Sequence, residues 1–148
     1  MRDVHRKAII SVFWTLVVVS ALIVTFMLIT MLADIESFSF LFIVVPAILL
    51  SASGIALIIL AARNIRQRLL RSFFLLTGSS ATAITLSAIL HNLVYALIVY
   101  LADKGLFTLP DNFDEPFFFM IAIIVAPLGL VVGIIGTAIL IYGKKMMR

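Results

Sequence analysis

Four long apolar stretches separated by short polar links set the pattern of this chain. They cover 8–32, 38–62, 72–101 and 117–142, and none contains Asp, Glu, Lys or Arg. Each holds at least 25 residues, which at ~1.5 Å rise per residue exceeds ~37 Å of helix. About 20 residues cross a hydrocarbon core about 30 Å thick, so all four are long enough to span with some tilt. Backbone groups in lipid must be satisfied within the segment, which predicts α-helices. The short alternating strands of a membrane barrel are not found. The expected architecture is all-α: one polytopic domain over 1–148, with four transmembrane helices in an up-down bundle.

Composition removes the soluble alternative. Hydrophobic residues make up 64% and charged residues 12% of the 148, against about half and about a quarter in a soluble domain. The first span begins after a basic stretch, as signal peptides do. Its apolar run is longer than a signal core of about 7–15 residues and no A-x-A-like site follows, so an uncleaved span is expected.

The net charge of +4 is organised by link. Arg2, Arg6, Lys7, Arg63, Arg66, Arg68, Arg71, Lys144, Lys145 and Arg148, ten of the eleven basic residues, fall on one side if the helices cross in succession. The opposite links hold Asp34, Glu36, Asp103, Asp111, Asp114 and Glu115, six of the seven acids, with Lys104. Positive residues mark the cytoplasmic side, so both termini are expected there. The asymmetry argues against dual insertion. It suits the plasma membrane of a prokaryote, with the lipid bilayer as first partner and no nucleic acid.

The two hairpins are loosely alike. Leu32-Ala-Asp34 parallels Leu101-Ala-Asp103, and Ile43-Val-Val-Pro46 parallels Ile124-Val-Ala-Pro127. A duplicated hairpin and a coincidence of a small apolar alphabet both fit. Pro46 and Pro127 each remove a backbone donor and predict kinks, which either open an outward vestibule or simply fit the bundle. The acidic link over 111–115 lacks calcium-loop spacing and reads as solvated.

At about 100° per residue, the third span carries two special stripes. Thr77, Ser80, Ile84, Ser87, His91, Tyr95 and Ile98 share one direction; Gly78, Ala81, Thr85, Ala88, Asn92 and Ala96 share another. The fourth span has its own small stripe of Ala122, Ala126, Gly129, Gly133 and Gly136. Small residues let helices approach in lipid. The expectation is that Gly78, Ala81, Thr85 and Ala88 pack on Gly129, Gly133 and Gly136, with Asn92 buried there as interhelical glue. A homodimer through the glycine stripe is the alternative.

His91 lies about 6 Å past the midpoint of its span, roughly 9 Å below the outer edge of the core. An ionisable group at that depth faces protein or water. Either it is a neutral imidazole bonded to Ser87, Tyr95 or a neighbouring helix, or it serves a ligand, a proton or a metal. Trp14, Tyr142 and Tyr100 sit near the interfaces as aromatic belts do, and His5 is expected to be solvated.

Several chemistries are excluded. The absence of cysteine removes disulfide exchange, thiolate metals and iron–sulfur ligation. No span holds the carboxylate that proton-coupled drug export normally needs. One intramembrane histidine cannot give a bis-histidine haem within one chain. A triad or zinc site needs acids or further histidines near His91, and nothing in the sequence brings an outer-link carboxylate down to it.

The expected function is therefore a non-enzymatic accessory, anchoring or interaction subunit, without cofactor or metal, that meets a membrane-protein partner or further copies of itself. The alternative is a binding or transport protein with a site of His91, Tyr95, Ser87 and Asn92 for a quinone, a lipid-like ligand or a proton. In a homo-oligomer the polar stripe of the third span would line a path.

Overall fold

The computed structural model describes residues 2–33, 41–110 and 113–146. Its helices are α1 (Arg2–Leu32), α2 (Leu41–Asn64), α3 (Arg68–Asp103), α4 (Pro116–Met120) and α5 (Ala126–Met146), with a π turn at Ile121–Val125 joining α4 to α5. The last three run on as one fourth span. No strand forms among the described residues. Four helices are long and apolar enough to cross a membrane, so the all-α four-helix bundle stands. Asp34, Glu36, Phe38 and Asp111 lie outside the described residues, as do Asn112 and Arg148.

The helices overrun the apolar spans. α2 and α3 are separated only by residues 65–67, because no Gly or Pro lies between Arg63 and Arg71, and Arg, Leu and Gln are good helix formers. The Asn64 amide donates back to the Leu60 carbonyl at 2.9 Å. The outer end of α3 stops for a specific reason. Gly105 takes φ 75°, its N–H bonds to Ala102 O at 2.8 Å, and the Leu106 N–H bonds to Leu101 O at 3.2 Å. These paired bonds form a Schellman motif, whose left-handed residue is normally glycine.

Pro127 follows directly on the π turn. There the Ala126 N–H reaches Ile121 O, five residues back. The wider turn falls where a proline ring otherwise clashes with the carbonyl four residues behind it.

α3 is the central helix. It packs along α2 on one side and along the fourth span on the other, while α1 lies chiefly against α2. The buried cluster joins Ile9, Phe13 and Leu16 of α1, Leu50, Leu57 and Ala61 of α2, Phe74 and Ala81 of α3, and Leu130 of α5. Phe13 and Phe74 meet edge to face, with ring centres 5.6 Å apart.

The pairing of stripes differs from the expectation. Gly78 faces α2: a Cβ there would stand 2.7 Å from Gly54 O and 2.8 Å from Ile58 Cγ1. Ala81 lies on the same contact, 3.2 Å from a Cβ built on Gly54. The Thr85 hydroxyl donates to Ala47 O of α2 at 3.0 Å. The glycines of α5 instead receive the hydroxyl stripe. A Cβ on Gly129 would stand 2.5 Å from Ser80 Oγ, one on Gly133 2.5 Å from Thr77 Oγ1, and one on Gly136 would strike Phe73.

The physical reason lies in the hydroxyls themselves. Thr77 Oγ1 bonds its own helix at Phe73 O, at 2.8 Å, so that stripe presents small and largely satisfied groups. A central helix also needs two packing faces, and α3 uses both of its special stripes. The glycine stripe is thereby covered within the chain. Ala88 is exposed and takes no part in either contact.

The Thr85 bond is separable from the glycine contacts. Thr85→Val is expected to cost about 0.6 kcal/mol, the average for a polar contact between membrane helices. A slightly lower melting temperature in detergent micelles would register it, and a loss of the whole bundle would contradict it.

Candidate functional site

The outer end of α3 meets the segment that starts α4, and the meeting point is His91. Glu115 is the N-cap of α4, in extended conformation (φ −98°, ψ 98°), with Pro116 opening the helix. Proline suits that position because it has no N–H to leave unsatisfied. The Glu115 carboxylate accepts from the Phe117 N–H at 2.9 Å and from the Phe118 N–H at 3.2 and 3.1 Å through its two oxygens. The positive end of the helix also favours an anion there. Asp114 Oδ1 accepts the Glu115 N–H at 2.8 Å.

His91 completes the cluster. Nδ1 lies 2.9 Å from Glu115 O and 3.3 Å from Glu115 Oε2. A carbonyl oxygen only accepts, so Nδ1 carries the hydrogen and donates. That leaves Nε2 as the ring's second nitrogen. It faces Asp114 Oδ1 at 3.9 Å, within ion-pair range but too long for a hydrogen bond. The ring lies against Phe119, centre to centre 5.4 Å. Glu115 is buried at 7% exposure, whereas the Asp114 side chain is 64% exposed. A buried polar group needs hydrogen-bond partners, and the Glu115 side chain has them in the Phe117 and Phe118 amides and His91.

The three residues expected around the imidazole are not brought together on it. Ser87 is buried one turn below. Tyr95 is 41% exposed and stacks on Phe113, ring centres 6.3 Å apart. Asn92 is exposed rather than buried, and its amide donates to Ala88 O of its own helix at 2.8 Å, so it is not glue between helices. None of the three shares a hydrogen bond with His91; Asp114 and Glu115 supply its polar contacts.

A carboxylate of the α3–α4 link does therefore fold onto the imidazole, a possibility the sequence left open without support. Asp114-Glu115-Pro116 ahead of an apolar run carried the signal: an acid at a helix start followed by proline. Chemically, the cluster can hold a proton and fasten the outer link to α3. Among the described residues no three His, Cys, Asp or Glu side chains come together as metal ligands. Comparison of the chain with protein-family models, with curated proteins and with solved structures finds no match.

Proposed function

We propose that this chain is a non-enzymatic accessory or anchoring subunit of a prokaryotic plasma membrane, with both termini and the α2–α3 turn on the cytoplasmic side. The observation that carries this reading is how the polar groups of α3 are used. His91 is bonded to Glu115, Asn92 to its own backbone, Thr85 to α2 and Thr77 to its own helix. Groups that could have built chemistry are instead taken up by bonds within the chain. The surface left for other molecules is apolar side chains, such as Val18, Leu22 and Met27 on α1 and Val132, Ile135 and Ile139 on α5.

Photocrosslinkers placed at Leu22 and at Ile139 in native membranes test the proposal. A discrete protein adduct from one face, retained in His91→Ala, is the expected result. Lipid adducts alone from both faces, with a monomer on purification, would overturn it.

A second reading has one observation in its favour: Nε2 of His91 faces the exposed Asp114. That arrangement suits a proton relay, or a site for a quinone or other lipid-like ligand. Under it, replacing His91 abolishes function even where the fold survives.

A further inference from the structure

The turn between α2 and α3 concentrates positive charge. Arg63 lies in the last turn of α2, Arg66 in the three-residue link, and Arg68 and Arg71 in the first turn of α3. All four are exposed. They stand directly at the ends of the apolar stretches 38–62 and 72–101, which is where lipid headgroups begin. Gly54 and Gly78 hold α2 and α3 in backbone contact, so the guanidinium groups leave one narrow hairpin.

Among the described residues no counter-charge stands against them. Among the described residues the ion pairs found both belong to His91, and none of the four arginines has a carboxylate within reach. The first turn of α3 contains no acid. A helix start normally favours acids and disfavours bases, because its free N–H groups and dipole are positive. Arg68 and Arg71 add to that potential instead of offsetting it. Orienting the chain in the membrane requires positive charge near the span ends, which lysine supplies as well as arginine. Yet this link uses arginine at every basic position, while both terminal segments include lysine. Arginine differs in its planar fork, which holds phosphate oxygens in pairs.

We propose that the α2–α3 turn docks the phosphate headgroup of an anionic phospholipid, gripped by Arg63, Arg66, Arg68 and Arg71. The site is independent of the subunit role and of the His91 cluster.

The test uses the full chain in nanodiscs of phosphatidylcholine doped with phosphatidylglycerol, followed by melting temperature and native mass spectrometry. Saturable stabilisation by phosphatidylglycerol is expected, with none from added phosphatidylcholine or from inorganic phosphate at matched concentration. Arg66→Ala/Arg68→Ala is expected to weaken the apparent affinity about fivefold per arginine, as for basic residues at an anionic surface, while melting normally in pure phosphatidylcholine. Arg66→Lys/Arg68→Lys keeps the orienting charge and removes the fork, so it too is expected to lose selectivity for phosphatidylglycerol. Equal stabilisation by all lipids, equal stabilisation by inorganic phosphate, or wild-type selectivity in the lysine variant would each overturn the proposal.

Discussion

Gly133→Ala and Gly78→Ala are each expected to be strongly destabilising single-methyl changes. A Cβ on Gly133 would stand 2.8 Å from the Thr77 backbone nitrogen as well as 2.5 Å from its hydroxyl. One on Gly78 would meet the Gly54 carbonyl oxygen at 2.7 Å. Backbone atoms cannot rotate away as a side-chain tip can, so the helices must separate. Membrane helices are held largely by close van der Waals contact, and separation weakens contacts along the whole interface. Overpacking of this kind typically costs about 1–3 kcal/mol.

Gly78 sits on α3 against α2, whereas Gly133 sits on α5 against Thr77 of α3. Both substitutions press on the same turn of α3, at Thr77 and Gly78, so their effects are expected to couple rather than add in the double variant. Gly143→Ala is the control, since nothing lies within 4 Å of its Cβ position, and no loss is expected. Thermal or denaturant unfolding in micelles measures all four. A Gly133→Ala protein as stable as the wild type would mean that α3 and α5 do not cross at Thr77.

These contacts mark the boundary of what the sequence makes legible. The number and type of spans could be read because lipid demands about 20 apolar residues and a helix, and charged residues bracket all four. Helix ends could not, because hydropathy locates the membrane rather than the last hydrogen bond. α1 therefore starts at Arg2 and α3 at Arg68, both inside stretches that looked like links.

The stripes of α3 were legible as stripes. Their partners were not, because a hydroxyl in sequence reads as polar wherever it later bonds. Thr77 hides its hydroxyl against Phe73 O, which makes its face small enough for the glycines. Asn92 likewise spends its amide on Ala88 O, which no residue spacing distinguishes from a bond across helices. His91 was singled out as the group needing an explanation. Its partners sat 23 and 24 positions away in a link that looked solvated, and only the helix start at Pro116 hinted that Glu115 is ordered.

Replacing His91 is the other change with a large expected effect, and the choice of substitute decides what it means. His91→Ala removes the Nδ1–H donor from Glu115 O and uncovers the flank of Phe119. A buried acceptor left without its partner costs about 1–3 kcal/mol, and the outer link should loosen first. Hydrogen exchange at the Phe117 and Phe118 amides reports this, because both bond to the Glu115 carboxylate. Glu115→Ala, which removes the cap itself, should expose the same amides and cost about 0.5–2 kcal/mol as cap losses do. Asp114→Asn keeps an oxygen for the Glu115 N–H and should change little.

The discriminating variant is His91→Asn, whose side-chain N–H₂ stands near the position of Nδ1 while nothing replaces Nε2. If His91 serves only to fasten the outer link, asparagine restores much of the stability and exchange protection that alanine loses, and all function. If Nε2 and its approach to Asp114 carry a proton or a ligand, the asparagine protein folds like the wild type and is inactive. The same substitution thus separates the anchoring role from the intramembrane site, and it does so with the bundle intact.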